Sequence, residues 1–263
     1  MTPATSIVLT TYDRAALLPR SIASVLAQSD GDFELIVVDD GSTDETASVL
    51  ARIGDPRIRS IVLARNRGLP AARNVGLSEA RGRYVAFQDS DDEWMPEKLA
   101  RQRRVLEQHA DVGVVYADMH RVCADGRLLY HRSPTIVRSR LVDPATRWWQ
   151  SYMLAMQPVL MRRECLADVR FDERLVRFED LDLHVRVARR HAYRHVAEPL
   201  VRYHETGGMT VDWRAELRGR RQLLWKYAGE LARREPTFLV RETVDVLLRR
   251  SLLPIVARHV TPV

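Results

Sequence analysis

The feature that most constrains this chain is a regular alternation of short apolar runs with longer amphipathic stretches. The apolar runs have the length and composition of buried strands, and they occupy residues 6–10, 33–38, 58–63, 84–87 and 112–116. Stretches between them, such as 14–28 and 70–80, have the apolar spacing of helices. Strands separated by helices form β-α-β units. We therefore predict an α/β fold with a mainly parallel sheet flanked by helices.

Two of the predicted strands end in acidic residues. Asp39-Asp40 follows the second strand, and Asp89-Ser90-Asp91-Asp92 follows the fourth. The carboxyl ends of parallel strands meet at one rim, where ligands bind in such sheets. Mg²⁺ is usually held by one or two carboxylates together with substrate phosphates, so this rim predicts a metal-bridged diphosphate. The alternative is a solvated loop whose Asp92 helps to start the next helix.

Composition narrows the class of protein. The chain has 263 residues, of which 46% are hydrophobic and 29% charged, as in ordinary globular proteins. No run approaches the roughly 18 apolar residues that span a bilayer, and the N-terminus lacks a secretory-signal pattern, so we expect a cytoplasmic protein. The two cysteines fit a reducing compartment. The common Gly-rich phosphate motifs and zinc-ligand spacings are absent from the sequence.

The formal charge of +6 lies mostly in residues 211–263, where two basic amphipathic helices broken near Pro236 are predicted. The basic residues are not interleaved with aromatics, so we expect no nucleic-acid partner. This C-terminal helical appendage has three open arrangements. It could pack on the rest of the chain, form a homodimer contact or make a peripheral contact with the inner face of a membrane.

Four segments occur in a fixed order: 37–44 (VVDDGSTD), 66–76 (NRGLPAARNVG), 89–92 (DSDD) and 178–183 (FEDLDL). Together they closely resemble the family 2 glycosyltransferases, which use nucleotide-sugars in a Rossmann-like GT-A fold. The resemblance covers roughly residues 6–204. It implies a nucleotide-sugar-binding half over 1–117, an acceptor-binding and catalytic-base half over 118–210, and a helical extension over 211–263.

The resemblance also implies which residues bind the nucleotide. Asp39 is similar to the aspartate that accepts a hydrogen bond from the uracil ring, a role that suits an ionised carboxylate. Thr10 and Tyr12 match the segment that borders the base. Asn66 and Arg73 are similar to residues that touch the base and the diphosphate. Asp89 and Ser90 begin the D-x-D signature on the ribose side.

Metal binding and catalysis are assigned by the same resemblance. Asp91 is expected to coordinate Mn²⁺ or Mg²⁺, and His204 to contact the metal or the diphosphate. Asp180 is the expected catalytic base, which would take a proton from the acceptor hydroxyl in an inverting transfer, with Glu179 beside it. Trp94 and Asp92 are expected on the acceptor side.

The implied function is metal-dependent, inverting transfer of a sugar from a nucleotide donor, a UDP-sugar first of all, to an acceptor hydroxyl. A glycan, a lipid-linked sugar, a protein or a small molecule could be the acceptor. Two alternatives stay open: a sugar nucleotidyltransferase, which would need a Gly-rich basic loop after the first strand, and a non-catalytic nucleotide-binding or scaffold protein.

Overall fold

The computed structural model describes residues 2–133, 154–205, 212–234 and 236–256, with side chains described up to residue 246. The strands are β1 Thr5–Thr11, β2 Phe33–Asp39, β3 Ile58–Val62, β4 Tyr84–Asp89, β5 Glu93–Trp94, β6 Val112–Val122, β7 Leu128–His131, β8 Val159–Arg162 and β9 Ala192–His204. The helices are α1 Leu18–Leu26, α2 Thr46–Ala51, α3 Leu69–Glu79, α4 Lys98–Gln108, α5 Glu179–Ala188, α6 Trp213–Arg234 and α7 Pro236–Val256.

One sheet runs through the described chain in the order β3-β2-β1-β4-β8-β6-β9-β5, with β7 paired to β6. The first four of these strands are parallel, as predicted from the alternation of strands and helices. Beyond β4 the sheet is mixed, because the short strand β8 is inserted antiparallel between β4 and β6. The predicted α/β fold with helices on both faces and C-terminal helices is confirmed.

Two apolar clusters lie on the two faces of the sheet. Alternation along β1 sends Val8 to the face covered by α3 and α5, and sends Ile7 and Leu9 to the face covered by α1 and α4. Helix α3 lies very close to the sheet, because a Cβ at Gly76 would stand 2.3 Å from Cγ1 of Val8. Alternation puts Asp89 on the face under α3 and α5 and Asp39 on the opposite face, so the candidate site lies at the ends of these strands rather than on one face.

Element boundaries differ from the predictions where tertiary contacts decide them. Helix α1 begins at Leu18 rather than at residue 14, with Pro19 in its first turn, where a missing N–H costs nothing. The sequence predicts two short strands, around His195 and around Val201. The structure has one long strand there, β9, whose pairing with β6 is interrupted by register shifts. The sequence pattern over 145–156 predicts a further helix, and this segment lies largely outside the described residues.

The C-terminal helices pack on the rest of the chain. Leu223, Leu224, Tyr227 and Leu231 of α6 form a third apolar cluster with Leu175 and Phe178, and α7 adds Phe238 and Val246. Of the three predicted arrangements, packing is therefore observed. Among the described residues, no helix is long and apolar enough to cross a membrane.

Candidate active site

Cross-strand pairing places the predicted nucleotide residues along one rim. Thr11 at the end of β1 lies opposite Asp39 of β2, and Thr10 lies opposite Asp89 of β4. These positions are the carboxyl ends of neighbouring parallel strands. Ligands bind beyond such ends. The rim predicted from the sequence is therefore assembled in the structure.

Asp39 is completely buried and only partly satisfied. Its Oδ1 accepts hydrogen bonds from the backbone N–H and the hydroxyl of Ser42, at 2.9 and 2.5 Å. Its Oδ2 is buried and has no hydrogen-bond partner among the described residues, and the same holds for the hydroxyls of Thr10 and Thr11. Tyr12 follows with 42% of its surface exposed. A buried acceptor without a partner is costly, so Asp39 offers a ready contact for an N–H donor.

The turn that carries Asn66 is held by the second aspartate of the pair. Asp40 accepts hydrogen bonds from the backbone N–H groups of Arg67 and Gly68, each at 2.8 Å. Asn66 accepts a further bond from the N–H of Gly68 at 3.0 Å. Gly41 lies against this turn, because a Cβ there would approach the carbonyl carbon of Arg65 to 2.6 Å. Asp40 therefore positions Asn66 at the rim.

Arg73 is buried, and its guanidinium joins the two halves of the site. Its Nη2 donates to Oδ1 of Asp89 and its Nη1 to Oε1 of Glu179, both at 2.8 Å. Both terminal nitrogens bind carboxylates here, and the contact of Arg73 with the diphosphate stays a prediction. The bridge ties the end of β4 to the start of α5.

Asp180 lies beside this bridge at the start of α5. Burial and then the charge of Glu179 raise its pKa to about 7, against the opposing charge of Arg73. Its Oδ1 accepts a hydrogen bond from the N–H of Leu181 at 2.7 Å. Phe178, directly before the helix, has a left-handed backbone with φ of 65°. A carboxyl group that titrates near neutrality is suited to general-base chemistry.

Asp92 and Trp94 do not face an open acceptor surface in this structure. Asp92 is completely buried, accepts from the N–H of His204 and from the amide of Gln157 at 2.9 and 2.8 Å, and has a raised pKa, first because of burial. Trp94 is buried under the ammonium of Lys98, which lies 3.9 Å from the ring centroid. Both residues hold the loop after β4 in place, and their acceptor-side role stays a prediction.

Ser90 and Asp91 form the turn at the rim itself. Ser90 is buried, while the backbone carbonyl of Asp91 accepts from Nη2 of Arg20 at 2.7 Å. His204 ends β9, and its Nε2 lies 3.0 Å from Oε1 of Glu93. The charge of Asp91 reaches His204, whose pKa is nonetheless lowered, chiefly by burial.

The donor chemistry of this turn fits a hard divalent cation. Asp91 offers carboxylate oxygens, whereas Nε2 of the nearby His204 is bonded to Glu93. In the described part of the chain, no three His, Cys, Asp or Glu side chains are gathered into a metal site. A cation that keeps one or two protein ligands and completes its shell with phosphate oxygens does not need such a group.

Comparison with known proteins identifies the family. The profile described as "Glycosyl transferase family 2" matches residues 6–170, well over half of the chain. This chain belongs to glycosyl transferase family 2. A similar relative is the succinoglycan biosynthesis protein ExoO of Rhizobium meliloti (strain 1021), with 35% identity over 68% of this chain. The match spans 53% of ExoO, so this chain corresponds to about half of that relative.

Two solved structures share this fold. S. aureus TarS 1-349, in complex with UDP-GlcNAc, has a TM-score of 0.65 at 21% identity, covering 84% of this chain and 66% of that one. The mannosyltransferase PcManGT from Pyrobaculum calidifontis, in complex with GDP-Man and Mn2+, has a TM-score of 0.62 at 20% identity, covering 95% and 70%. At these identities the likeness establishes the GT-A fold of this family 2 chain.

Sequence reasoning missed Gln157, Asp40 and Glu93 in this family 2 site. The side-chain amide of Gln157 donates to both Asp89 and Asp92, which keeps two carboxylates of the acidic loop together. Glu93 accepts from His204 and forms ion pairs with Arg20 and Arg202. Gln157 stands about 65 residues beyond the acidic loop, so no local pattern marks it. Asp40, by contrast, follows Asp39 directly at the end of β2, so its position in the sequence could have marked it as a site residue.

Proposed function

We propose that this chain transfers a sugar from a UDP-sugar to an acceptor hydroxyl with inversion, in a divalent-metal-dependent reaction. The observation that carries the proposal is the placement of Asp180. Its carboxyl group, with a pKa of about 7, lies in one buried ionic cluster with Arg73, Glu179 and Asp89 of the nucleotide rim. A base must stand close to the donor in such a reaction, on the side opposite the leaving diphosphate.

The donor would bind along the rim through the groups described above. The unpartnered Oδ2 of Asp39 would accept the N–H of the uracil ring, and Tyr12 would border the base. The turn held by Asp40 would present Asn66. The fold neighbour TarS in complex with UDP-GlcNAc supports a uridine donor on this fold.

Asp91 and His204 would hold Mn²⁺ or Mg²⁺ together with the diphosphate. The cation, when bound, neutralises the charge that develops on the departing diphosphate. Arg73 would act on geometry, because its two ion pairs fix the distance between Asp89 and the helix that begins with Glu179 and Asp180. Asp180 would accept the proton of the acceptor hydroxyl as that oxygen attacks the anomeric carbon.

Ligand-dependent melting tests the donor site. Melting temperatures are measured for wild type, Asp91→Ala and Asp111→Ala in the presence of UDP, GDP, dTDP or CMP, each with and without Mn²⁺. Asp111 is exposed, and Asp111→Ala is the control for loss of an acidic group. A ligand that binds only the folded state raises the melting temperature. We expect a UDP-selective, Mn²⁺-dependent rise in wild type and Asp111→Ala that is lost in Asp91→Ala.

Catalysis is tested separately with Asp180→Asn. This variant should keep the UDP-dependent rise and lose hydrolysis or transfer of UDP-sugars. Absence of a shift with every nucleotide in wild type would refute the diphosphate site. Turnover of UDP-sugar by Asp180→Asn at the wild-type rate would refute the proposal that Asp180 is the catalytic base.

A further inference from the structure

A second buried polar cluster lies on the face of the sheet under α3 and α5, outside the residues used above. Asp118 of β6 is completely buried and accepts three hydrogen bonds. The donors are Nε2 of His195 at 2.6 Å, the backbone N–H of Ser133 at 2.8 Å, and the hydroxyl of Tyr130. His195 is also stacked on Tyr116, with ring centroids 5.0 Å apart.

The strand register places this cluster beside the donor loop. Phe87, Val159 and Tyr116 are neighbours across β4, β8 and β6, and all three belong to the apolar cluster under α3 and α5. Two residues closer to the rim stand Asp89 of β4, Asp118 of β6 and Gln157, which precedes the antiparallel strand β8. Alternation returns these three side chains to the same face. They form the next row across the sheet, at its nucleotide rim.

The distance across this row suits one sugar residue. Adjacent strands lie about 4.8 Å apart, so two strand spacings put the backbones of Asp118 and Asp89 roughly 10 Å from each other. Gln157 bridges the row from the donor side through its bond to Asp89. A sugar that received the donor's glycosyl group at Asp180 would extend in this direction over β6.

The groups presented by the cluster are those that bind carbohydrate. Because a carboxylate can only accept, His195 donates through Nε2, and its Nδ1 can form a hydrogen bond with a sugar hydroxyl, which both donates and accepts. The side chain of His195 is 21% exposed, and Tyr130 is 56% exposed although its hydroxyl is tied to Asp118. An aromatic ring held by its polar end offers a fixed apolar surface.

We propose that Asp118, His195 and Tyr130 form a binding site for the accepting sugar residue, an inference that rests on the proposed transfer function. His195 holds a hydroxyl of that sugar, Tyr130 packs against its ring, and Asp118 orients both. The buried carboxylate repels acidic groups, so the site selects a neutral sugar over a uronic acid.

Sugar binding to the UDP- and Mn²⁺-loaded protein tests this site. The probes are the methyl β-glycosides of glucose, galactose, N-acetylglucosamine and glucuronic acid, and dissociation constants are measured by NMR titration. We expect at least one neutral glycoside to bind. His195→Ala and Tyr130→Ala should each weaken that binding about tenfold, which corresponds to the loss of about 1.4 kcal/mol. Wild type should bind the glucuronide no more tightly than these two variants bind the neutral glycosides.

Further variants separate binding from a structural role in tying β7 to β6. Tyr130→Phe keeps the ring and should retain most of the affinity, although it loses the same hydrogen bond as Tyr130→Ala. Trp225→Ala, an exposed aromatic on α6, is the control and should bind the glycosides as wild type does. All variants should keep the UDP-dependent rise in melting temperature.

The result that would overturn the inference is a protein that binds UDP normally but whose glycoside binding is unchanged in His195→Ala and Tyr130→Ala. Failure of every neutral glycoside to bind, or preference for the glucuronide, would overturn it as well. Loss of UDP binding in wild type is a different result, because it contradicts the proposed function rather than this sugar site.

Discussion

Burial and one neighbouring carboxylate give Asp180 its chemistry. Its pKa of about 7 arises first from loss of water and second from the charge of Glu179, while Arg73 holds Glu179 and Asp89 in place. The same environment carries a cost in stability. An ionised carboxylate is held where its charge is poorly solvated, so the charged form of Asp180 lowers the stability of the folded state.

The pH dependence of Asp180 can be measured in two ways. Only the ionised base can accept a proton, so we expect the transfer rate to rise with pH and level off above about 7. Folding raises the pKa of Asp180 above its unfolded value, so the folded state holds the extra proton between about pH 4 and 7. Stability contributed by that proton is present at low pH and lost as the pH rises through this window.

Asp180→Asn removes this loss of stability. The free energy of unfolding of this variant should be higher than that of wild type, by on the order of 3 kcal/mol at pH 8 and by much less at pH 5. Denaturant unfolding at both pH values measures the difference. Asp168→Asn is the control, because its ion pair with Arg190 lowers the pKa of Asp168 and so confines its effect to lower pH. A pH-independent effect of Asp180→Asn would contradict the raised pKa.

At the scale of elements, the close contact between α3 and the sheet sets the position of Arg73. Gly76 follows Arg73 by three residues on the same helix and lies directly over Val8 and Val38. Because no side chain separates helix from sheet here, α3 can bring Arg73 low enough to meet Asp89 at the end of β4. Helix packing and the ionic bridge are therefore linked.

Gly76→Ala tests this link. The added Cβ would lie 2.3 Å from Val8 and 3.2 Å from Val38, so we expect a loss of about 1–3 kcal/mol in the free energy of unfolding despite the better helix propensity of Ala. Gly31→Ala is the matched control, because nothing lies within 4 Å of its Cβ. Chemical denaturation measures both variants. If Gly76→Ala and Gly31→Ala changed the free energy of unfolding equally, α3 could shift to accept the added Cβ, and the proposed link would be wrong.

For the whole molecule, α6 joins the C-terminal region to α5, the helix that begins with Glu179 and Asp180. The completely buried Asp182 of α5 accepts from the hydroxyl of Tyr227 at 2.7 Å and pairs with Lys226 at 2.6 Å. Gly219 lets α6 approach the residues just before Glu179, since a Cβ there would stand 2.8 Å from Cβ of Arg177. The C-terminal helices thus support the strained start of α5.

Two glycines on α6 provide a matched pair of variants. Gly219→Ala would press on Arg177 and on the ring of Phe178 at 3.0 Å, so we expect a stability loss of about 1–3 kcal/mol and a several-fold slower transfer. Gly229→Ala meets only the flexible end of Arg233 at 3.8 Å and should gain up to about 1 kcal/mol from helix propensity. Thermal melts and UDP-sugar turnover measure both. Unaltered turnover in Gly219→Ala would separate α6 from catalysis.

The sequence by itself determined the parallel half of the sheet and its acidic rim. Strand and helix periods are local, and parallel strands gather their carboxyl ends at one edge, so the sequence pattern alone predicts that Asp39 and Asp89 lie together. The order of four motifs was enough to predict the family and the GT-A fold.

The tertiary structure alone decided the partners of each charged group. Arg73 bridges Asp89 and Glu179, which lie far from each other in the chain. Asp92 likewise accepts hydrogen bonds from the distant Gln157 and His204. The row that ends in Asp118 also joins residues far apart in the chain. The antiparallel strand β8 and the packing of α6 are also long-range events. Such pairings depend on which side chains share a buried volume, and a one-dimensional pattern does not contain that information.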